Sequence, residues 1–133
     1  RQMCIRDRPT HIHHGSYRHR EGYKGALALL QEGVTALIAG DSMMTAGALE
    51  ACHNAGKRIG EEIALVGFDD FIYLRFQPSP ISVVDQDVAR MGETATAKLI
   101  AAINEKHQPE GEVLETRYIP RMSTAHQLDG ATP

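Results

Sequence analysis

The 133-residue chain has no tryptophan, only 5% aromatic residues and only two cysteines. Scarce aromatic side chains argue against a groove that stacks the bases of single-stranded nucleic acid. The formal net charge is −3, so the chain lacks the positive surplus of a nucleic-acid-binding surface. Cys4 and Cys52 are too few for a disulfide framework, which fits a reducing, cytoplasmic environment.

Long hydrophobic runs, a secretory leader pattern and a glycine-rich phosphate loop are also missing from the sequence. A membrane helix needs about 20 apolar residues in a row, so we expect no membrane partner. Without a phosphate loop, the ligand is expected to be a polar small molecule rather than a dinucleotide. The chain is 42% hydrophobic and 23% charged, which is typical of one globular domain with a core.

The two ends differ from the middle of the chain. Residues 1–8, RQMCIRDR, carry three arginines and no apolar period. We predict a non-native or junction segment at 1–8, one domain at 9–125 and a disordered tail at 126–133.

Strand and helix patterns alternate through the domain. The first half is predicted to form a short strand at 10–14, a helix at 20–31 ended by Gly33, a buried strand at 36–39, and a helix capped by Asp41 or Ser42 that stops at Gly56. The second half is predicted to form a buried strand at 63–68, a loop at 71–80, a strand at 81–84, a long helix capped by Asp87 and ended by Pro109 and Gly111, and a last strand at 113–119. This alternation predicts an α/β fold of parallel-sheet βαβ units.

Right-handed crossovers place the carboxyl ends of parallel strands on one rim. Residues 15–17, 40–41 and 68–70 are therefore expected to converge there, where α/β sheets bind ligands. Residues adjacent on a strand point to opposite faces, so we assign Asp69 to a ligand hydroxyl and Asp70 to a turn or cap. Both aspartates could instead be ordinary turn residues.

Other polar side chains allow several interpretations. Asp41 is expected to be a helix cap, which also orients a helix N-terminus toward the rim. The Tyr17 ring could stack on the apolar face of a sugar or be an ordinary surface tyrosine. His11 and His13 could bind zinc, but no second pair of ligands follows, so we predict no metal and no cofactor. Nor can a nucleophile, a base and an orienting group be assembled, so we predict no enzyme and no catalytic residues.

Three segments carry a resemblance to a known family. TALIAGDSMMTAGALEACHNAGKRIGEEIALVGFDD resembles the effector-domain signature of the LacI/GalR family of bacterial transcription regulators. PSPISVVDQDVARMGETA resembles the family's PPLTTVxQ segment and the xxMGxxA helix that follows it. RYIPRMSTA resembles the closing L-x-x-R-x-S-T pattern, and together the matches run in order over about residues 15–125.

The resemblance implies part of a type I periplasmic-binding-protein-like fold, with a sugar or nucleoside effector between two α/β lobes. Tyr17 matches the family's stacking aromatic and Asp69 matches its hydroxyl-binding acid. Gln86 matches a polar residue near the cleft, where the chain crosses between lobes. Gly40 stands where several members carry a polar contact residue, which leaves the effector's identity open.

The resemblance also implies a role for the chain. It corresponds to the carboxyl-terminal part of a cytoplasmic, homodimeric regulator that reaches operator DNA only through a head absent here. We expect the apolar face of the last long helix (Val88, Met91, Ala95, Leu99, Ile103) to lack part of its partner, leaving the chain marginally stable or self-associating. The alternatives are a periplasmic sugar-binding protein of an uptake system and an α/β enzyme using Asp41 with Asp69 or Asp70.

Overall fold

The computed structural model describes residues 11–105 and 110–128. Within them the elements are α1 (His19–Gln31), β1 (Ala36–Ile38), α2 (Ser42–Asn54), β2 (Ala64–Phe68), α3 (Ile72–Arg75), β3 (Ser82–Asp85), α4 (Val88–Glu105), β4 (Arg117–Ile119) and α5 (Met122–Leu128). The segment predicted as a junction, 1–8, lies outside the described residues.

The sheet has the strand order β1-β2-β3-β4. β1, β2 and β3 pair in parallel, with Leu37 opposite Leu65 and Gly67 opposite Val83, which confirms the predicted α/β fold of parallel βαβ units. β4 is antiparallel to β3, with Tyr118 opposite Val84. This last strand is antiparallel because the chain leaves β3 at its carboxyl end and β4 begins at that same rim of the sheet, instead of at the opposite rim.

The core lies between the sheet and the helix pair α1 and α2. Its buried members are Ala26, Leu37, Ala48, Ala51, Cys52, Ile63, Leu65, Leu74, Ile81 and Val83. Small residues let the two helices approach closely, because a Cβ on Gly47 would overlap the carbonyl oxygen of His19 and the amide of Tyr23. The small residues of the predicted second helix therefore serve helix–helix packing.

Helix ends follow the predicted residue chemistry. Gly33 and Gly56 have φ angles of 80° and 63°, the left-handed conformation that glycine tolerates where helices end. Asp87 caps α4 because its Oδ1 accepts a hydrogen bond from the Arg90 amide at 3.1 Å. None of the helices in the described part is long and apolar enough to cross a membrane.

The short strand predicted at 10–14 is wrong for the residues that are described, since 11–14 form no strand. The His13 ring packs over Gly25 of α1 and lies near β1 without forming a strand beside it. A β-compatible sequence forms a strand only when another strand supplies its hydrogen bonds. The strand at 36–39 is present but not fully buried: Ile38 is 80% exposed, and the main sheet contacts of α5 are with β2 and β3.

Three later boundaries also differ from the prediction. The loop at 71–80 contains one helical turn, α3, whose Leu74 is buried, because proline at 78 and 80 restricts only the residues near it. The strand at 113–119 is confined to Arg117–Ile119, and Val113 is 95% exposed. The tail predicted from 126 is helical up to Leu128, and its remainder is outside the described residues.

Helix α4 is the long helix predicted from the sequence, and its apolar face is uncovered, as expected from the resemblance. Val88, Met91, Leu99 and Ile103 are between 42% and 67% exposed. An isolated exposed apolar residue is ordinary, but a continuous stripe on one helix is typical of a surface that another structure covers.

Candidate functional site

Asp69 lies where β2 ends, and its backbone is strained. Its amide donates to the carbonyl oxygen of Val84 at 2.9 Å, which holds it against the neighbouring strand. Its φ angle is 61°, in the left-handed region that few residues other than glycine adopt. The residue is 9% exposed. Strain of this kind is often found at binding sites, where the surrounding structure holds it in place.

Gln86 and Asp69 form a direct pair, although 17 residues separate them in the chain. The Gln86 Nε2 donates to Asp69 Oδ1 at 2.9 Å. This hydrogen bond fixes the direction of the carboxylate, whose oxygens can accept hydrogen bonds from ligand hydroxyls. The structure thus brings together two of the residues that were predicted to bind the ligand.

Asp41 is the N-cap of α2, as predicted. Its Oδ1 accepts from the amides of Met43 and Met44 at 2.8 and 3.1 Å. Thr45 then ties this cap to the next strand: its Oγ1 donates to the Asp41 carbonyl at 2.8 Å and accepts from the Phe68 amide at 3.0 Å. Thr45 was not predicted from the sequence, where its only signal is a polar residue on the inward face of the helix.

Gly40 follows the end of β1 at the rim, outside the Asp69–Gln86 pair. Gly40 is exposed, and a Cβ there would meet open space. The segment containing Tyr17 packs at the start of α2, since Gly15 lies against the Met44 side chain. Tyr17 is 73% exposed and has a φ angle of 53°, so its ring is available to a ligand rather than to the core.

Asp70 is neither a cap nor a simple turn residue, because two arginines bind it. Both of its oxygens accept from Arg121 Nη2 at 2.7 Å, and Oδ2 also accepts from Arg75 Nη2 at 2.8 Å. The Asp70 and Arg121 side chains are only 11% and 16% exposed, whereas that of Arg75 is 51% exposed. Asp69 and Asp70 therefore have different environments, but both lie beyond the end of β2 and Asp69 has a left-handed backbone, so strand alternation does not account for the difference.

The environment of Asp70 shifts its pKa in two opposite directions. Burial of the carboxyl raises the pKa, but hydrogen bonds from Arg121 and Arg75 and the charges of both arginines outweigh burial and lower it below its ordinary value. Asp70 is therefore held ionised as a structural anion at the end of the sheet.

The closing motif RMSTA builds a buried polar network. Ser123 Oγ accepts from the Ser82 amide at 2.8 Å and donates to the Leu65 carbonyl at 2.6 Å. The Thr124 hydroxyl lies 2.7 Å from Ser82 Oγ and 3.0 Å from the Tyr118 hydroxyl. The network fastens α5 across β2 and β3, so the serine and threonine of this motif are structural.

Among the histidines of the first segment, His11 lies beside the C-cap residue of α1, Glu32. His11 Nε2 is 3.5 Å from a Glu32 carboxylate oxygen, and both side chains are at least one third exposed. Within 11–105 and 110–128, no group of three or more His, Cys, Asp or Glu residues could hold a metal ion. Cys52 is fully buried, which raises the pKa of its thiol to about 11 and makes it a core residue rather than a nucleophile.

An aromatic surface surrounds α3, beside the start of α2. The Phe71 and Tyr73 rings stack with centroids 6.0 Å apart, and the Tyr73 hydroxyl donates to the Ser42 carbonyl at 3.4 Å. Phe71, Ile72 and Phe76 are 46%, 60% and 79% exposed. We call Phe71, Ile72, Tyr73 and Phe76 the α3 aromatic patch; exposed aromatic clusters of this kind are enriched at protein–protein interfaces.

Residues 4–124 match the model of a family described as a periplasmic binding protein-like domain. The match begins inside the segment predicted as a junction. The transcriptional regulator MalR of Streptomyces coelicolor is 30% identical over 115 residues, which are 86% of this chain and 33% of that protein. The repressor MelR of Bacillus subtilis is 31% identical over 118 residues, or 86% and 34% of the two chains. The chain thus spans about a third of the length of these relatives.

Solved structures show the same similarity. A probable LacI family transcriptional regulator from Corynebacterium glutamicum superposes with a TM-score of 0.69 and 38% identity, over 82% of this chain and 39% of that one. A complex of the regulator CelR with cellobiose superposes with a TM-score of 0.73 and 28% identity, over 82% and 34%.

Proposed function

The chain belongs to the family of periplasmic binding protein-like domains, in the form found in LacI-type transcription regulators, and on this premise we propose that it is the ligand-sensing portion of a bacterial, sugar-responsive regulator. The observation that carries the proposal is the Asp69–Gln86 pair at the rim of the sheet. A buried, oriented carboxylate next to an amide is suited to hydroxyl-rich ligands, because each can make directional hydrogen bonds.

The proposed effector is a sugar or a sugar derivative. The similar structure of CelR is described as a cellobiose complex, which supports this class of ligand. Asp69 and Gln86 would bind hydroxyl groups, the exposed ring of Tyr17 would cover an apolar sugar face, and open space at Gly40 would admit a substituent. Asp41 would act mainly by holding α2 at the rim.

A regulator also needs a second state that the effector can favour. Gln86 lies between β3 and α4, so a ligand held by the Asp69–Gln86 pair would also bias the direction in which α4 leaves the sheet. We propose that this bias is transmitted to a second lobe and to a DNA-binding head that are not in this chain. Effector and operator would then change each other's affinity reciprocally.

We further propose that the intact protein is a cytoplasmic homodimer that binds operator DNA through that head. Among the similar structures, a Lac repressor is described as a dimer bound to operator. The α3 aromatic patch is the surface we assign to dimer contacts, because its aromatic side chains are exposed beside a rigid helix. No catalytic role is proposed for the rim: the relatives are named as regulators.

The test of the ligand site is Asp69→Ala in the intact protein, with binding of cellobiose, lactose, maltose and melibiose measured by calorimetry. Loss of a charged hydrogen-bond acceptor is expected to weaken binding about 10- to 100-fold while leaving operator affinity without sugar unchanged. Glu61→Ala is the matched control, since Glu61 is an exposed acid in the turn before β2.

Unchanged sugar affinity in Asp69→Ala would remove Asp69 from the site. Binding of a sugar that leaves operator affinity unaltered would favour an uptake protein, and consumption of the sugar, abolished by the substitution, would favour an enzyme.

A further inference from the structure

The strained backbone of Asp69 reverses the chain at the end of β2. Its amide stays bonded to the Val84 carbonyl. The guanidinium of Arg121, however, donates both to the next residue, Asp70, and to the carbonyl of Ile81, just before β3. An extended chain would carry Asp70 away from Ile81, so the left-handed turn at Asp69 brings Asp70 back along the sheet. Such a turn at a residue other than glycine persists only when its neighbours hold it.

Arg121 is the group that holds this turn from the carboxyl side. Its Nη1 donates to the Ile81 carbonyl at 2.8 Å, and its Nη2 donates to both Asp70 oxygens at 2.7 Å. A planar guanidinium that binds two partners fixes direction as well as distance, which a lysine ammonium does not.

The backbone of Arg121 is itself anchored before its side chain reaches Asp70. Its amide donates to Ser82 Oγ at 2.8 Å, and its carbonyl accepts from the same hydroxyl at 3.1 Å. Ser123, two residues later, is bonded to both β2 and β3. Arg121 is therefore a rigid link from the buried polar network to the residue that follows Asp69.

We propose that Arg121 is a positioning residue for ligand binding: its ion pair with Asp70 keeps Asp69 in the left-handed turn that aims the Asp69 carboxylate at Gln86. This proposal rests on the function proposed above, in which Asp69 contacts the ligand. It gives the arginine of the closing motif a role distinct from that of its serine and threonine, which fasten α5 to the sheet.

The competing explanation is that Arg121 only anchors α5 to the sheet. The two explanations predict different rates of hydrogen exchange at the Asp69 amide. We would measure hydrogen exchange in Asp70→Asn and Arg121→Met and compare the Asp69 amide with the Ala64 amide, which is bonded to Thr35 at the other end of β2. Local loss of the turn should speed exchange at Asp69 about tenfold or more relative to Ala64.

Two substitutions are matched controls for this measurement. Ser123→Ala removes two other hydrogen bonds between α5 and the sheet. It should increase the exchange rates of the Asp69 and Ala64 amides by the same factor and leave their ratio unchanged. Arg75→Ala removes the more exposed partner of Asp70 and leaves the two-oxygen contact with Arg121, so it should change neither amide by more than about twofold. If Arg121→Met does not fold, the nearly isosteric Asp70→Asn still decides the result.

The ligand arm uses cellobiose and the intact protein. Asp70→Asn should weaken cellobiose binding about tenfold, whereas Arg75→Ala and Ser123→Ala should stay within about twofold at a temperature where all are folded. A ratio of Asp69 to Ala64 exchange that equals the wild-type ratio in both ion-pair variants overturns the positioning role. Failure of the wild type to bind any of the four sugars counts against the proposed function alone, because the exchange result does not depend on a ligand.

Discussion

At the end of β2, two adjacent carboxylates have different partners: Asp69 pairs with Gln86, and Asp70 pairs with Arg121 and Arg75. The different roles predicted for Asp69 and Asp70 were argued from strand alternation, whereas both residues lie beyond β2 and the left-handed backbone of Asp69 separates them. The sequence does not predict the partner of Asp70, because Arg121 is 51 residues away and the pairing depends on the antiparallel return of β4. Gln86 was found only through resemblance, as nothing in its local pattern places it beside Asp69.

Acid should weaken the fold in part through Asp70. Its pKa is lower in the folded protein than the value of about 3.9 expected when unfolded. The ion pair therefore stabilises fully above about pH 4 and stops stabilising as the pH falls through the folded pKa. Asp70→Asn should lower the free energy of unfolding by about 2–3 kcal/mol at pH 7, and this deficit should shrink toward pH 3.

Urea unfolding of both proteins between pH 3 and pH 7 measures that deficit. Glu61→Gln, an exposed acid in the turn before β2, is a suitable control and should follow the wild type. A deficit that stays constant with pH would mean that the Asp70 charge does not contribute.

At the scale of elements, the helices were more predictable than the strands. Periodic apolar residues and local caps define α1, α2 and the start of α4 within a residue or two, because the interactions are short in sequence. The predicted end of α4 at Pro109 lies outside the described residues. The short strand at 10–14 and the length of β4 were mispredicted since a strand depends on partners elsewhere in the chain. The one-turn helix α3 is too short to leave a periodic pattern.

Two helical glycines should respond in opposite ways to alanine. At Gly47 a methyl group would collide with the α1 backbone, so Gly47→Ala should destabilise the protein by about 1–3 kcal/mol through overpacking. At Gly92 of α4 the same methyl meets no atom within 4 Å, so Gly92→Ala should stabilise by up to about 1 kcal/mol through helix propensity. Thermal unfolding followed by circular dichroism measures both shifts, and equal signs would contradict the helix packing described here.

For the whole molecule, alternation of strands and helices predicts the sheet and its rim, but not which surfaces stay uncovered. The exposed face of α4 and the α3 aromatic patch lie on the outside of the described structure. The uncovered face of α4 was expected from the resemblance, whereas nothing in the sequence indicated the α3 aromatic patch, because its residues are also typical of a core. Burial depends on what packs there, which a single chain's sequence does not specify.

We expect the 133-residue chain alone to self-associate through α4. The double substitution Leu99→Glu with Ile103→Glu should shift the sedimentation profile toward monomer, since charges on the apolar face oppose its burial. Ala97→Glu adds charge on the opposite side of the helix and should have little effect. If association persists in the α4 double variant but is lost in Phe76→Glu, the α3 aromatic patch mediates the association instead.

The buried cysteine offers a built-in reporter of opening. Because burial raises its pKa to about 11, the Cys52 thiol is almost entirely protonated at pH 7, and the fully buried sulfur lies in the α2 core. A thiol-specific reagent can therefore modify it only when α2 separates from the sheet. In a chain whose Cys4 is replaced by serine, Cys52 is the remaining thiol, so its labelling rate would report how often α2 opens.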